Sequence, residues 1–140
     1  MSAGKEFSLN LRVYMEDTDA GGIVYYVNYL KFIERARTEY MRDLGFGKDY
    51  IFNQDLMFVV RDLKLRYAGP ARLDDDLTAT ARIAHLGGAS LVMHQSVRRG
   101  DAVLVEGEVG LACVDREGVR PRRLPAELLA ALKGDEAMST

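Results

Sequence analysis

Between Glu16 and Tyr29 the chain reads EDTDAGGIVYYVNY: three carboxylates (Glu16, Asp17, Asp19), a glycine pair, then apolar and aromatic residues running into the start of an amphipathic helix. A carboxylate can act as a nucleophile or as a base on water, and free backbone N–H groups at a helix start can hold a carbonyl oxygen. Gly21 and Gly22 let the backbone approach a bound molecule closely. The segment therefore has the parts to aim one carboxylate and backbone donors at a single carbonyl, and function is sought here first. Taken singly, each acid reads as part of a solvated turn capping the helix. Taken together, the string gives them a task.

The elements that would position this loop follow from hydrophobic period. Phe7, Leu9, Leu11 and Val13 alternate with Ser8, Asn10 and Arg12, a strand ending where the acidic loop begins. From Asn28 to Leu44 the period becomes helical, with Tyr29, Leu30, Phe32, Ile33, Ala36, Tyr40, Met41 and Leu44 on one side and Gly45 placed to cap the end. Arg37 falls inside that apolar arc, where a guanidinium needs a carboxylate partner. It is expected either to snorkel to water or to pair with the acidic loop.

Strand patterns fill the rest: Arg61–Tyr67, Leu77–Ile83, Ser90–Val97 and Val103–Cys113, with Gly69 and Pro70 opening the turn between the first two. A short tail helix is predicted at Ala126–Leu132, and Met138–Thr140 is expected to fray. One strand, one helix and four strands on short turns predict an antiparallel α+β domain with the helix covering one sheet face, a single domain over residues 1–140.

The 140 residues suffice for one core, and a net charge of -2 gives no global footprint for nucleic acid. The lone Cys113 lies in an apolar run and reads as a buried, inert thiol. His85 and His94 share no metal-ligand spacing, so no metal site and no cofactor are predicted. No stretch has the apolar length of a signal peptide core or a membrane span, so no membrane insertion and a cytoplasmic location are expected.

RVYMEDTDAGGIVYYVNYLKFIERARTEYMR (Arg12–Arg42) resembles acyl-CoA thioesterases of the 4-hydroxybenzoyl-CoA thioesterase type, and most closely the branch associated with the Tol-Pal envelope system. YAGPARLDD (Tyr67–Asp75) supports the same resemblance, which extends to RPRRLP at Arg120–Pro125. It implies a hotdog fold, a curved five-stranded antiparallel sheet around one long central helix, and hydrolysis of an acyl-CoA substrate. By the same resemblance Asp19 is the catalytic carboxylate, the Tyr26 N–H is the oxyanion donor, and Arg122 contacts the nucleotide end; Gly22, by its backbone freedom, is the candidate to lie against the substrate.

Arg120, Arg123, Arg98 and Arg99 are further candidates for the phosphates of coenzyme A. Many members of the closest branch carry histidine where this chain has Tyr26, whose ring could instead shape the acyl pocket. Tyr25 and Tyr29 read as ordinary packing. The resemblance further implies a homodimer or homotetramer with the site between subunits. A non-catalytic module that binds acyl-CoA or acyl-carrier protein is the alternative, and a hotdog dehydratase ranks behind both because no histidine stands near the helix start.

Overall fold

The structure, a computed structural model, describes residues 5–135. Strand β1 (Phe7–Arg12) leads through a 3-10 turn at Met15–Asp17 to helix α1 (Asn28–Asp43) and a short helix α2 (Lys48–Asn53). Four strands follow, β2 (Leu56–Tyr67), β3 (Asp76–Leu86), β4 (Ser90–Arg99) and β5 (Ala102–Asp115), and then helix α3 (Ala126–Asp135). They form one five-stranded sheet in the order β1-β3-β4-β5-β2, and every pairing is antiparallel. This is the hotdog arrangement expected from the sequence.

Helix α1 lies across the sheet and packs chiefly on β3. Tyr29, Phe32, Ile33, Ala36 and Tyr40 are buried on its inner face, and Ala79 and Ala81 of β3 are buried beneath it. Small side chains at the centre of β3 let the helix sit close while Ile83, Met93, Val97 and Val109 fill the flanks. Register shifts at Val60/Asp62, Ile83/His85 and Val97/Arg98 bend three neighbouring ladders, which curves the sheet around the helix.

β2 and β3 follow each other in sequence yet are separated in the sheet by β4 and β5. The segment from Ala68 to Asp75 is therefore a crossover along the end of the sheet, and this course carries it past the acidic loop. β2 is left as an edge strand that exposes Val60, Leu63 and Tyr67.

Several boundaries differ from the sequence reading. β2 begins at Leu56 rather than Arg61, because LMFVV is apolar on both sides and carries no alternation. Helix α2 was not expected, since six residues are too few for a helical period to show. It is docked from outside: Phe46 meets Tyr50 edge to face at 4.8 Å, and the Tyr50 hydroxyl donates to Glu127 of α3 at 2.6 Å. The tail helix continues to Asp135, whose carboxylate accepts the Tyr40 hydroxyl at 3.0 Å. Gly45 adopts φ +94°, the left-handed cap that its position predicts. The expected fraying of Met138–Thr140 lies outside the described residues.

Candidate active site

The three acids of the loop separate into distinct roles. Asp17 is buried. Its carboxylate accepts the Tyr14 N–H at 2.9 Å and the Asn28 side-chain amide at 2.8 Å. It fastens the loop to the first residue of α1 and is committed to structure. Glu16 is exposed.

Asp19 is also exposed, but it is fixed. Its Oδ1 accepts the N–H of Gly21 at 2.8 Å and of Ile23 at 3.2 Å, and its own N–H donates to the Ile23 carbonyl at 2.9 Å. Gly22 makes the turn with φ +76°, where a side chain would be strained. Among the described residues Oδ2 of Asp19 has no hydrogen-bond partner. One oxygen thus positions the carboxylate and the other stays available.

The crossover closes the far side of this loop. The Val24 N–H donates to the Ala71 carbonyl and the Leu73 N–H to the Gly22 carbonyl, both at 2.9 Å. The Ala71 N–H donates to the buried hydroxyl of Tyr29 at 2.8 Å. Burial pushes the Tyr29 hydroxyl above its ordinary pKa, against the pull of the Ala71 N–H, so it stays protonated at neutral pH. The two sequence stretches that carried the resemblance are in direct contact.

At the start of α1 the Tyr25 N–H donates to the Asp17 carbonyl at 3.2 Å, while the N–H of Tyr26 donates to no acceptor among the described residues. The Tyr26 ring is 69% exposed and lies edge-on to Tyr67 at 6.0 Å, whose hydroxyl donates to the Tyr26 carbonyl at 3.2 Å. Tyr29 packs in the core as expected, whereas Tyr25 is half exposed. Asp19, Gly22 and the Tyr26 N–H therefore share one end of the molecule, with Tyr67 beside them.

Arg122 does not join them. Its guanidinium donates to the Gln54 carbonyl at 2.6 Å, just before β2 begins, whereas Tyr67 and the Asp19 loop lie where β2 ends. A strand of 12 residues puts those ends roughly 36 Å apart. Arg98 is turned to Glu6, and Arg99 to the Pro70 carbonyl and Asp75. Arg123 lies over Gly88, and Arg120 beside Gly118.

Arg37 forms no ion pair with the acidic loop. It reaches under the helix and donates to Oε1 of the buried Gln95 at 3.1 Å. A buried amide on β4 has taken the place foreseen for a carboxylate, and a polar residue at an inward position of that strand was the signal that could have shown it. Arg37 also lines a cavity of 410 Å³ beneath the C-terminal half of α1, walled by α2 and the sheet. Sequence reasoning gave no sign of that cavity, because its walls come from five separate elements.

Residues 21–106 match the Thioesterase superfamily. The chain belongs to the thioesterase superfamily. This thioesterase is 43% identical to the acyl-CoA thioesterase YbgC of Haemophilus influenzae, over 89% of its own length and 93% of the relative's. It is 42% identical to the acyl-CoA thioester hydrolase YbgC of Escherichia coli, over 91% and 96%. The solved structure of a probable thioesterase from Bartonella henselae superposes with a TM-score of 0.82 at 38% identity, covering 86% of this thioesterase and all of that chain.

Proposed function

We propose that the protein hydrolyses acyl-CoA thioesters, with Asp19 as nucleophile or as general base on water and the Tyr26 N–H as oxyanion donor. The observation that carries this reading is a carboxylate held through one oxygen by its own loop, its second oxygen unbonded, beside a helix start whose N–H is also unbonded. With Asp19 as base, it takes a proton from water as the water oxygen bonds to the carbonyl carbon. The developing oxyanion accepts the Tyr26 N–H. The C–S bond then breaks, and coenzyme A leaves as a thiolate that is protonated afterwards. A thiol of pKa about 8.5 needs little acid assistance to leave, so no histidine is required at Tyr26. A preorganised donor of this kind contributes about 3 kcal/mol of transition-state stabilisation.

We place the chain, on its Arg12–Arg42 string, in the Tol-Pal-associated branch of the 4-hydroxybenzoyl-CoA thioesterase type. The working unit in this reading is a single hotdog domain acting in the cytoplasm as a homodimer, or as a homotetramer made of two such dimers. The edge strand supports the dimer: β2 offers an unpaired backbone edge and an apolar face, a template for pairing with a second copy. An isologous antiparallel β2 pair would set the Tyr67 end of one protomer against the Leu56 end of its partner. That arrangement brings the partner's Arg122 region and cavity toward Asp19, which a single chain keeps apart.

Thiol release from short, long and aromatic acyl-CoAs, compared between wild type and Asp19→Asn, tests the activity. Release that collapses in the variant with the assembly intact supports the reading. Tight acyl-CoA binding with no release from any substrate would replace it by a binding module.

A further inference from the structure

Within one chain the 410 Å³ cavity beneath α1 lies away from Asp19, and no residue of the acidic loop lines it. Met41, Phe46, Ile51, Phe58, Met93 and Leu111 give it apolar walls. Two of these are methionines, which repack around a flexible chain. Arg37 is the exception in that wall.

A guanidinium carries five N–H donors. Among the described residues Arg37 has one hydrogen bond, to Gln95 Oε1 at 3.1 Å, and no ion pair. Gln95 cannot turn away, because its amide nitrogen donates to the carbonyls of Ile33 at 2.9 Å and Thr80 at 3.2 Å. Burial pulls the Arg37 pKa below its ordinary value, and Glu34 opposes this only through space. Of the other charges on the cavity rim, Arg42 is paired with Glu39 and Lys48 is a further cation. The rim thus holds a half-buried positive charge that the protein leaves without a bonded counter-charge.

We infer that this cavity binds an aliphatic chain ending in a carboxylate, with the chain among the methionines and aromatic rings and the carboxylate on Arg37. Two molecules share that chemistry. One is a free fatty acid, whatever reaction supplies it; the other is an ω-carboxyacyl thioester whose far end reaches the cavity. The second source rests on the hydrolase reading given above, and the first does not.

Calorimetric titration of decanoate and decanol into the full chain tests the site directly. Wild type is expected to bind decanoate at least tenfold more tightly than decanol, a comparison that depends on no variant folding. Arg37→Gln should abolish that preference, and Met93→Trp, which fills the cavity, should abolish binding of both. Equal affinity for acid and alcohol in wild type, or decanoate binding that survives Met93→Trp, overturns the inference.

A second arm compares kcat/KM for ω-carboxydecanoyl-CoA with that for decanoyl-CoA. A ratio above one that falls at least fivefold in Arg37→Gln identifies the substrate tail as the occupant. A ratio near one beside tight decanoate binding identifies the free acid. Absence of thiol release from both esters and from the short, long and aromatic acyl-CoAs above would refute the hydrolase reading, while the titration still decides the cavity.

Discussion

Two aspartates two residues apart do opposite things, and their hydrogen bonds say which is which. Asp19→Asn keeps an oxygen to accept the Gly21 and Ile23 N–H groups, so the loop is expected to stay formed. It removes the negative charge, and thiol release should fall by about 10²-fold or more, measured as kcat at saturating acyl-CoA. Asp17→Ala leaves the Tyr14 N–H and the Asn28 amide without their acceptor. It is expected to cost about 1–3 kcal/mol of stability, read from denaturant midpoints. A variant with full stability would show that the clamp is not what holds the loop.

These roles were only partly legible in the residues. The string of acids marked the loop, but which acid is buried depends on where Asn28 arrives. Arg37 was legible as an anomaly, and its partner was not. Arg37 and Gln95 stand 58 positions apart in the chain.

At the level of elements, the sheet depends on a glycine where two strands come close. A Cβ added to Gly107 of β5 would run into the Lys64 carbonyl of β2. Gly107→Ala should loosen the edge strand, lowering the melting temperature and raising hydrogen exchange in β2 ahead of β3 and β4. Uniform exchange across the sheet would contradict this.

The docking of α2 on α3 carries a pH signature. Burial, and after it the hydrogen bond to Glu127, pushes the Tyr50 hydroxyl up to about 12 from a reference of 10.0. A raised folded-state pKa means the contribution is fully present below pH 10 and lost as pH rises through about 12. The stability difference between wild type and Tyr50→Phe should therefore shrink across that window, as followed by denaturant titration at stepped pH. The strands and α1 were readable from period alone because each has one buried and one exposed face. α2 and the first residues of β2 escaped because tertiary contacts, not an alternating pattern, place them.

For the whole molecule, the exposed edge is where the proposed dimer is tested. Leu63→Arg places a charge on the apolar face of β2, which is exposed in the single chain. Sedimentation should then show a shift toward monomer, with thiol release lost in parallel. An active monomer would refute a site completed by the partner.

The sequence by itself determined the antiparallel α+β architecture, the long central helix and the loop where Asp19 sits. Those features rest on local period, turn residues and a contiguous string. Only the tertiary structure decided that Asp17 is the buried clamp, that Arg37 answers to an amide, that Arg122 stands at the far end from Asp19, and that a cavity lies beneath α1. Each of these is set by which distant segments the crossover and the sheet order bring together, and no local pattern encodes that.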